Sequence, residues 1–520
     1  MRRFESGARS VHTELYHFAT FPRGLIGPVE IIWQPGKGEK RRVWMRIHPS
    51  IFVEVWDSLK LCLKDGSTAT MKDLRLDLDA FEIMGPRAGK VLARVVKVCK
   101  SDLVDKAKSN FVKMMASLDD AAQLPDGIVA GLRVYDPRLH FPPKRSTVDE
   151  AETSADGVLR ASMSMEPSSE LATSELWDEE IREGLAKPRY KKSDLDRRRQ
   201  KLAQPGTRLR PMAQDDRIPL IIIQRSIISA ASPSESFHGF TLLLPKGWAM
   251  YFLSSIIYSS LLVGGVNERR VQYREAGLPC FPEGFSGVCK AGIEWEKEDG
   301  MREVERWEKK PPSKRPSWEA LGTQWPWWPN WNAAATGDEE EERALNGVPT
   351  SLTTESSPWL LPTSLARRIS STAPSDHLFS LVNTFRSQRS LPPLPIHDKL
   401  QLYTSALVHV KLVVLGRGSP GKMAVIYSLS ASEREEWLQS DMEDQNLGEL
   451  RPDPVDIIGF TSSGNFSMTR GRGHAVGTVR FAEYMKLKQV AKATSRPELV
   501  LVKVRDRDGV ICRLAAVDLV

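Results

Sequence analysis

The twenty residues from Gly247 to Val266 include no charged side chain, and this run constrains the chain more than any other feature. About 20 apolar residues are enough to cross a bilayer as a helix, so the run must lie either in lipid or inside protein. Its contents favour protein. Ser254, Ser255, Ser259 and Ser260 spread hydroxyls along the middle, Gly264 and Gly265 close the run, and Pro245-Lys246-Gly247 forms a turn leading into a helix. A single span would separate two charged halves of the chain, and Met1-Arg2-Arg3-Phe4 does not open a secretory signal. The expectation is a helix packed on all sides, with no membrane partner.

Composition places that helix in an ordinary multidomain protein. With 520 residues, 41% of them hydrophobic and 27% charged, the chain can build two or three cores. The five cysteines (Cys62, Cys99, Cys280, Cys289 and Cys512) are odd in number and form no C-x-x-C pair. They are expected to be buried reduced thiols, with no structural metal and no cofactor. No hydrolase nucleophile motif, Walker loop or metalloprotease helix occurs, so no catalytic residue is assigned.

Periodicity divides the chain. Residues 14–143 alternate strand and helix patterns: Val29–Trp33 and Val43–Ile47 read as strands joined by Pro35-Gly36-Lys37-Gly38, and His48-Pro49 opens a helix. A second helix follows Gly85-Pro86. Residues 144–175 read as a flexible, acidic, Ser-rich insertion, 176–332 as a central domain with a basic lead-in, and 333–357 as a low-complexity acidic linker. In the tail, 398–520, strands are expected at 406–415, 423–428, 455–460, 475–480, 499–504 and 510–515. Short strands between glycine turns suggest a compact antiparallel barrel. The fold class is α+β, multidomain, with disordered acidic insertions.

Charge is unevenly placed. From Lys187 to Arg210 ten basic residues face two acidic ones, a local net of +8 against +7 for the whole chain. Arg189, Lys191, Lys192, Arg197, Arg198, Arg199, Lys201, Arg208 and Arg210 are the candidate RNA-binding residues here. Pro188, Pro205 and Gly206 break the segment, which lets it follow a phosphate backbone instead of forming one rigid helix. A solvated basic linker balancing the preceding acidic segment is the alternative. Arg470, Arg472 and His474 in a Gly-rich turn form a second candidate, where glycines admit a phosphate and guanidiniums supply forked donors. The alternative is a hairpin turn with exposed arginines. Lys309, Lys310, Lys314 and Arg315 beside Trp318 and Trp325-Pro326-Trp327-Trp328-Pro329 with Trp331 form a third, although those tryptophans are expected to pack onto the central domain. His48 reads as a capping or packing residue.

Several motifs carry a family resemblance. They include Phe21-Pro22-Arg23-Gly24 to Val29, Val43-Trp44-Met45-Arg46-Ile47-His48-Pro49, Tyr135-Asp136-Pro137-Arg138-Leu139 and Leu176-Trp177-Asp178. The series continues with Ile218-Pro219-Leu220 ending in Gln224-Arg225, Gly264-Gly265 with Glu268-Arg269, Glu275 to Pro279, Phe281-Pro282, Arg417-Gly418-Ser419-Pro420 and Gly459 to Ser467. In this order they resemble the largest protein subunit of eukaryotic ribonuclease P and ribonuclease MRP. The resemblance covers the family's central and C-terminal parts, without the long basic segment that precedes them.

It implies an RNA-binding scaffold that supports tRNA 5′-leader removal and rRNA processing, with catalysis by the RNA. The implied partners are the catalytic RNA of the two particles, their smaller protein subunits and, through the holoenzyme, precursor tRNA and rRNA. The implied location is the nucleus and nucleolus. The tail also resembles the C-terminal barrel of the glycine-cleavage T-protein fold, which raises a folate-dependent aminomethyltransferase as the alternative. A protein-only docking platform of the same particles is a further one.

Overall fold

The computed structural model describes residues 4–36, 41–63, 68–143, 165–331 and 357–520, apart from 203, 205–206, 230–232, 260, 371, 440–445, 450–451 and 495. Strands β1 (Val11–Tyr16), β2 (Leu25–Trp33) and β3 (Val43–Ile47) form an antiparallel sheet in that order. His48 then caps a 3-10 turn, its Nδ1 accepting from the Ser50 amide at 3.2 Å, and α1 (Phe52–Cys62) follows. This is the capping role expected of it.

A four-stranded antiparallel sheet, ordered β4 (Leu78–Met84), β7 (Phe237–Pro245), β6 (Arg217–Ile227) and β5 (Val129–Tyr135), forms the second layer. Strand β6 reads as an unbroken apolar run because both of its faces are covered. Ile218, Leu220 and Ile222 pack with α2 (Ala88–Val95) and α3 (Lys106–Ser117), whereas Ile221 and Ile223 meet Ile32, Leu176 and Trp177. Trp177 stacks on Trp44 with ring centroids 3.8 Å apart, joining two of the sequence motifs. Residues 144–164 of the expected insertion lie outside the described residues. Its last part does not read as an insertion, since Leu171 and Ala172 are fully buried in this layer.

After β5, Asp136 and Arg138 hold one another through paired hydrogen bonds near 3.0 Å, and α4 (Lys192–Gln200) packs beside them. The uncharged run forms α5 (Ala249–Tyr258). Ten residues rise only about 15 Å, and no helix among the described residues is long and apolar enough to cross a membrane. The serines bond internally, as when Ser254 donates to the Met250 carbonyl at 2.8 Å. Packing on all sides is corrected: Trp248, Phe252 and Ile256 enter the core, while Met250, Ile257 and Tyr258 face outward and Leu262 beyond the helix is 98% exposed.

Next come α6 (Val266–Glu275), which buries none of its own residues, and α7 (Lys290–Glu308). The tail contains β8 (Trp359–Leu360), α8 (Pro374–Gln388), β9 (Ala406–Val414), β10 (Val425–Tyr427), β11 (Asn446–Glu449), β12 (Ile457–Ser467), β13 (Arg472–Arg480), α9 (Phe481–Ala493), β14 (Leu501–Arg505) and β15 (Ile511–Leu519). Strands β9, β13, β12, β10, β14 and β15 pair antiparallel in a ring that β15 closes against β9. These are the six strands expected from the sequence, and full closure removes their edges. Strands β8 and β11 flank the ring.

Strand β12 carries a bulge between Thr461 and Ser463. Arg417-Gly418-Ser419-Pro420 lies against β12 and β13. A Cβ on Gly473 would stand 2.2 Å from the Gly418 carbonyl, and one on Gly464 would stand 2.3 Å from that of Pro420. Glycine in both strands is what lets this loop approach.

Candidate nucleic-acid interface and domain junction

The basic segment is not a string that follows a backbone. Residues Lys192–Gln200 are helical, and Leu195 on that helix joins Leu139 and Leu209 in a small buried cluster. Two of its three consecutive arginines are committed inward. Arg198 donates to Asp215 at 2.7 Å, with side-chain exposures of 18% and 2%. Arg199 pairs with Asp196 at 2.6 Å and also donates to the Arg138 carbonyl. Arg189 donates to the Gln214 carbonyl at 2.9 Å, and Arg208 to that of Pro142 at 3.2 Å.

Arg197 is different: 71% exposed, with Asp194 as distant as 3.6 Å. Lys191, Lys192, Lys201 and Arg210 are exposed as well, and so is Arg189 in spite of its bond. The segment therefore presents a cationic face on a helix that is pinned from below. Pro205 and Gly206 lie outside the described residues.

In the Gly-rich turn two of the three candidates are engaged within the chain. The Arg470 side chain is largely buried, 10% exposed, and donates to Glu235 at 2.8 Å and to the Glu275 carbonyl at 2.8 Å. The Nε2–H of His474, also buried, donates to the Arg274 carbonyl at 2.7 Å. Burial lowers the His474 pKa, keeping the ring neutral for that bond. Ser467 donates to Glu275 at 2.6 Å. The Arg470 and His474 bonds reach the main-chain carbonyls of Glu275 and Arg274 at the C-terminal end of α6, where carbonyls lack the usual i+4 helical partner, and the Ser467 bond holds the Glu275 carboxylate. Arg470 and His474 thus tie α6 to the barrel, and of this candidate trio Arg472 alone faces solvent.

The third candidate splits likewise. Lys314 is exposed, whereas Arg315 donates to the Lys310 carbonyl at 2.8 Å beside the Trp307 ring. Trp318 and Trp307 pack edge-on against Trp327, and Trp331 packs against Phe460 of the barrel at 5.4 Å between ring centroids. The tryptophans therefore brace the central domain, and they brace it against the tail.

Further inside, three arginines converge on one carboxylate. Arg46 reaches Glu82 at 2.7 Å, Arg225 at 3.5 Å and Arg269 at 3.6 Å, with Glu30 also held by Arg46 at 3.0 Å. Burial would raise the Glu82 carboxyl, but Arg225, Arg269 and Arg46 outweigh it and hold it below the usual carboxylate range. Three sequence motifs, on β3, β6 and α6, meet in this cluster. Among the described residues no group of three His, Cys, Asp or Glu side chains is placed to hold a metal ion. Four cysteines are buried or partly buried, while Cys62 is exposed, contrary to expectation. Burial pushes the Cys289 thiol up to about 12, which makes it inert at neutral pH.

The fold and junction define an α+β protein in which a helical central unit is clamped onto a closed six-stranded barrel. Residues 239–331 match the POPLD (NUC188) domain, and residues 454–520 match the POP1 C-terminal domain. The human "Ribonucleases P/MRP protein subunit POP1" is 23% identical over 425 residues, covering 63% of this chain and 41% of that protein. Its counterpart in Saccharomyces cerevisiae is 22% identical over 515 residues, covering 87% and 56%, and that in Schizosaccharomyces pombe is 23% identical over 480, covering 88% and 56%. The chain is thus similar to these POP1 subunits over most of its length, and it spans about half the length of the curated relatives it matches.

Proposed function

We propose that the chain is an RNA-binding scaffold of ribonuclease P and ribonuclease MRP particles that supports tRNA 5′-leader removal and rRNA processing in the nucleus and nucleolus while the RNA performs the chemistry. The observation that carries this reading is the pinned cationic helix. Lys191, Lys192, Arg197, Lys201 and Arg210 are held on one framework by Leu195, Arg198 and Arg199, so their charges reach a phosphate backbone without first ordering a loop. The relatives favour this function over the aminomethyltransferase alternative.

The exposed apolar run around Leu262, Val263 and Val266 favours protein docking as a second role of the same scaffold, since contiguous exposed apolar surface marks interaction sites. Smaller protein subunits of the particles are the partners proposed for it.

A salt titration tests the RNA role. The chain is bound to ribonuclease P RNA, MRP RNA and an unrelated structured RNA of equal length, beside a variant carrying Lys192→Glu, Arg197→Glu and Lys201→Glu. Selective binding with a steep salt slope, made shallower in the variant, supports the scaffold. Indifference to both RNA identity and the variant refutes it.

A further inference from the structure

A cleft of about 210 Å³ opens between α6, the turn that follows it and the bulge of β12. Its polar lining is Asn267, Arg270, Arg274, Glu283, Ser462 and Ser463. Arg270 and Arg274 stand one helical turn apart and so share a face. The β12 bulge contributes Ser462 and Ser463 to the opposite wall.

Arg270 is held in place: it lies 3.4 Å from Glu283, donates to Asn267 at 3.0 Å and covers the Trp295 ring at 4.5 Å. Arg274 is not. Its nearest carboxylate, on Glu275, is 3.9 Å away, and its Nε is buried without a hydrogen-bond partner. With its nearest carboxylate that far off, the Arg274 guanidinium is the less committed of the two and is the one available to an acceptor from outside the chain.

The chemistry of the lining names that acceptor. Two guanidinium groups with forked donors, an amide and two hydroxyls suit an anion with several oxygens at tetrahedral angles. The volume equals about seven waters at their liquid share, enough for a phosphate ester and too small for a folded helix. Glu283 is the sole acid in the lining, and its carboxylate is paired with Arg270 at 3.4 Å.

We propose that this cleft receives a single phosphoryl group, either from an RNA strand or from a free phosphate ester. Only the choice of source rests on the scaffold reading; the receptor itself does not. Because α6 carries the two arginines and is bonded to the barrel through Arg470 and His474, an anion here bridges the central unit and the tail.

The test uses the full chain with inorganic phosphate, followed by 31P line broadening, and then a short single-stranded RNA with or without a 5′-phosphate. Arg274→Gln is expected to weaken phosphate binding about tenfold or more, the loss of a charge-assisted pair. Ser463→Ala, which leaves both arginines in place, is expected to weaken it severalfold and covers the case in which Arg274→Gln fails to fold. A preference for phosphorylated RNA that Arg274→Gln abolishes identifies RNA as the source; phosphate binding without that preference identifies a free ester. Absence of saturable phosphate binding, or equal binding by wild type and both cleft variants, overturns the proposal even if RNA still binds the cationic helix.

Discussion

Arg197 and Arg198 are neighbours on one helix with opposite predicted roles, and replacing each with alanine separates them. Asp215, only 2% exposed, accepts from Arg198 at 2.7 and 3.4 Å and from the Met212 amide at 2.7 Å. Removing one partner of a buried pair costs about 3–5 kcal/mol. Arg198 keeps some contact with water and Asp215 keeps its amide bond, so the lower end, about 3 kcal/mol, applies. That corresponds to roughly a hundredfold increase in local opening at 1.4 kcal/mol per factor of ten. The exposed Arg197 pair at 3.6 Å is worth a few tenths of a kcal/mol at most. Hydrogen exchange in peptides covering Lys192–Gln200 reads the first effect: strong loss of protection in Arg198→Ala, little in Arg197→Ala. The RNA salt slope reads the second, with Arg197→Ala lowering it by roughly 0.7–0.9 for one lost phosphate contact. Equal exchange in the two variants, or a slope change in Arg198→Ala with protection intact, would refute the assignment of roles.

Other outcomes follow from the junction and the barrel. Arg470→Ala removes bonds to Glu235 and to the end of α6 and should destabilise that contact by about 3 kcal/mol; faster proteolysis near Gly277 would show it, and unchanged cleavage would contradict it. His409 is buried in the barrel beside Phe285, and burial lowers its pKa from 6.5 to about 4. Its stabilising contribution is therefore complete above about pH 6.5 and is lost as pH falls towards 4, amounting to about 3 kcal/mol; His409→Gln should flatten that part of the denaturation midpoint against pH, and an unchanged profile would exclude His409 as its cause. Gly473→Val sets a side chain against the Gly418 carbonyl and should displace the Arg417–Pro420 loop, detectable as a soluble chain with a lowered thermal midpoint; an unchanged midpoint would show that the loop yields freely.

The six barrel strands are legible because each is a short β-rich run bounded by glycine or by charge, a local signal. Closure of β15 on β9 is not local, and neither is α9, whose apolar positions Phe481, Tyr484, Met485 and Leu487 were submerged in a strand-rich tail. Charge density pointed to the Lys187–Arg210 segment but not to which arginines are used up. The partners that decide this, Asp215 and the Arg138 carbonyl, lie 17 and 61 residues away from their arginines. The cleft left only one trace, the arginines four apart in the sequence of α6. The Ser462 bulge that completes it depends on strand register, which no periodicity reports.

That division explains why the family motifs are richest in glycine, arginine and proline instead of in catalytic residue types. Arg46, Arg225 and Arg269 each sit in a different motif, and all three reach Glu82. Gly418 and Gly464 come from different motifs and, with Gly473 of the Gly-rich turn, fit one loop against two strands. Arg470 and His474, which composition marks as RNA ligands, cap a helix from another domain. Residues of these types are therefore placed where separate units meet, as the proposed scaffold role requires, since such a role depends on keeping distant surfaces in fixed relation. The exposed face of α4 and the α6 cleft lie on units joined by those contacts. Loosening the junction should accordingly weaken RNA binding that engages both surfaces by more than removal of either one alone, because a rigid pair gains from effective concentration and a loose pair does not. Arg470→Ala combined with Arg197→Ala tests this: coupled losses in RNA affinity support a common rigid frame, and strictly additive losses show two independent sites.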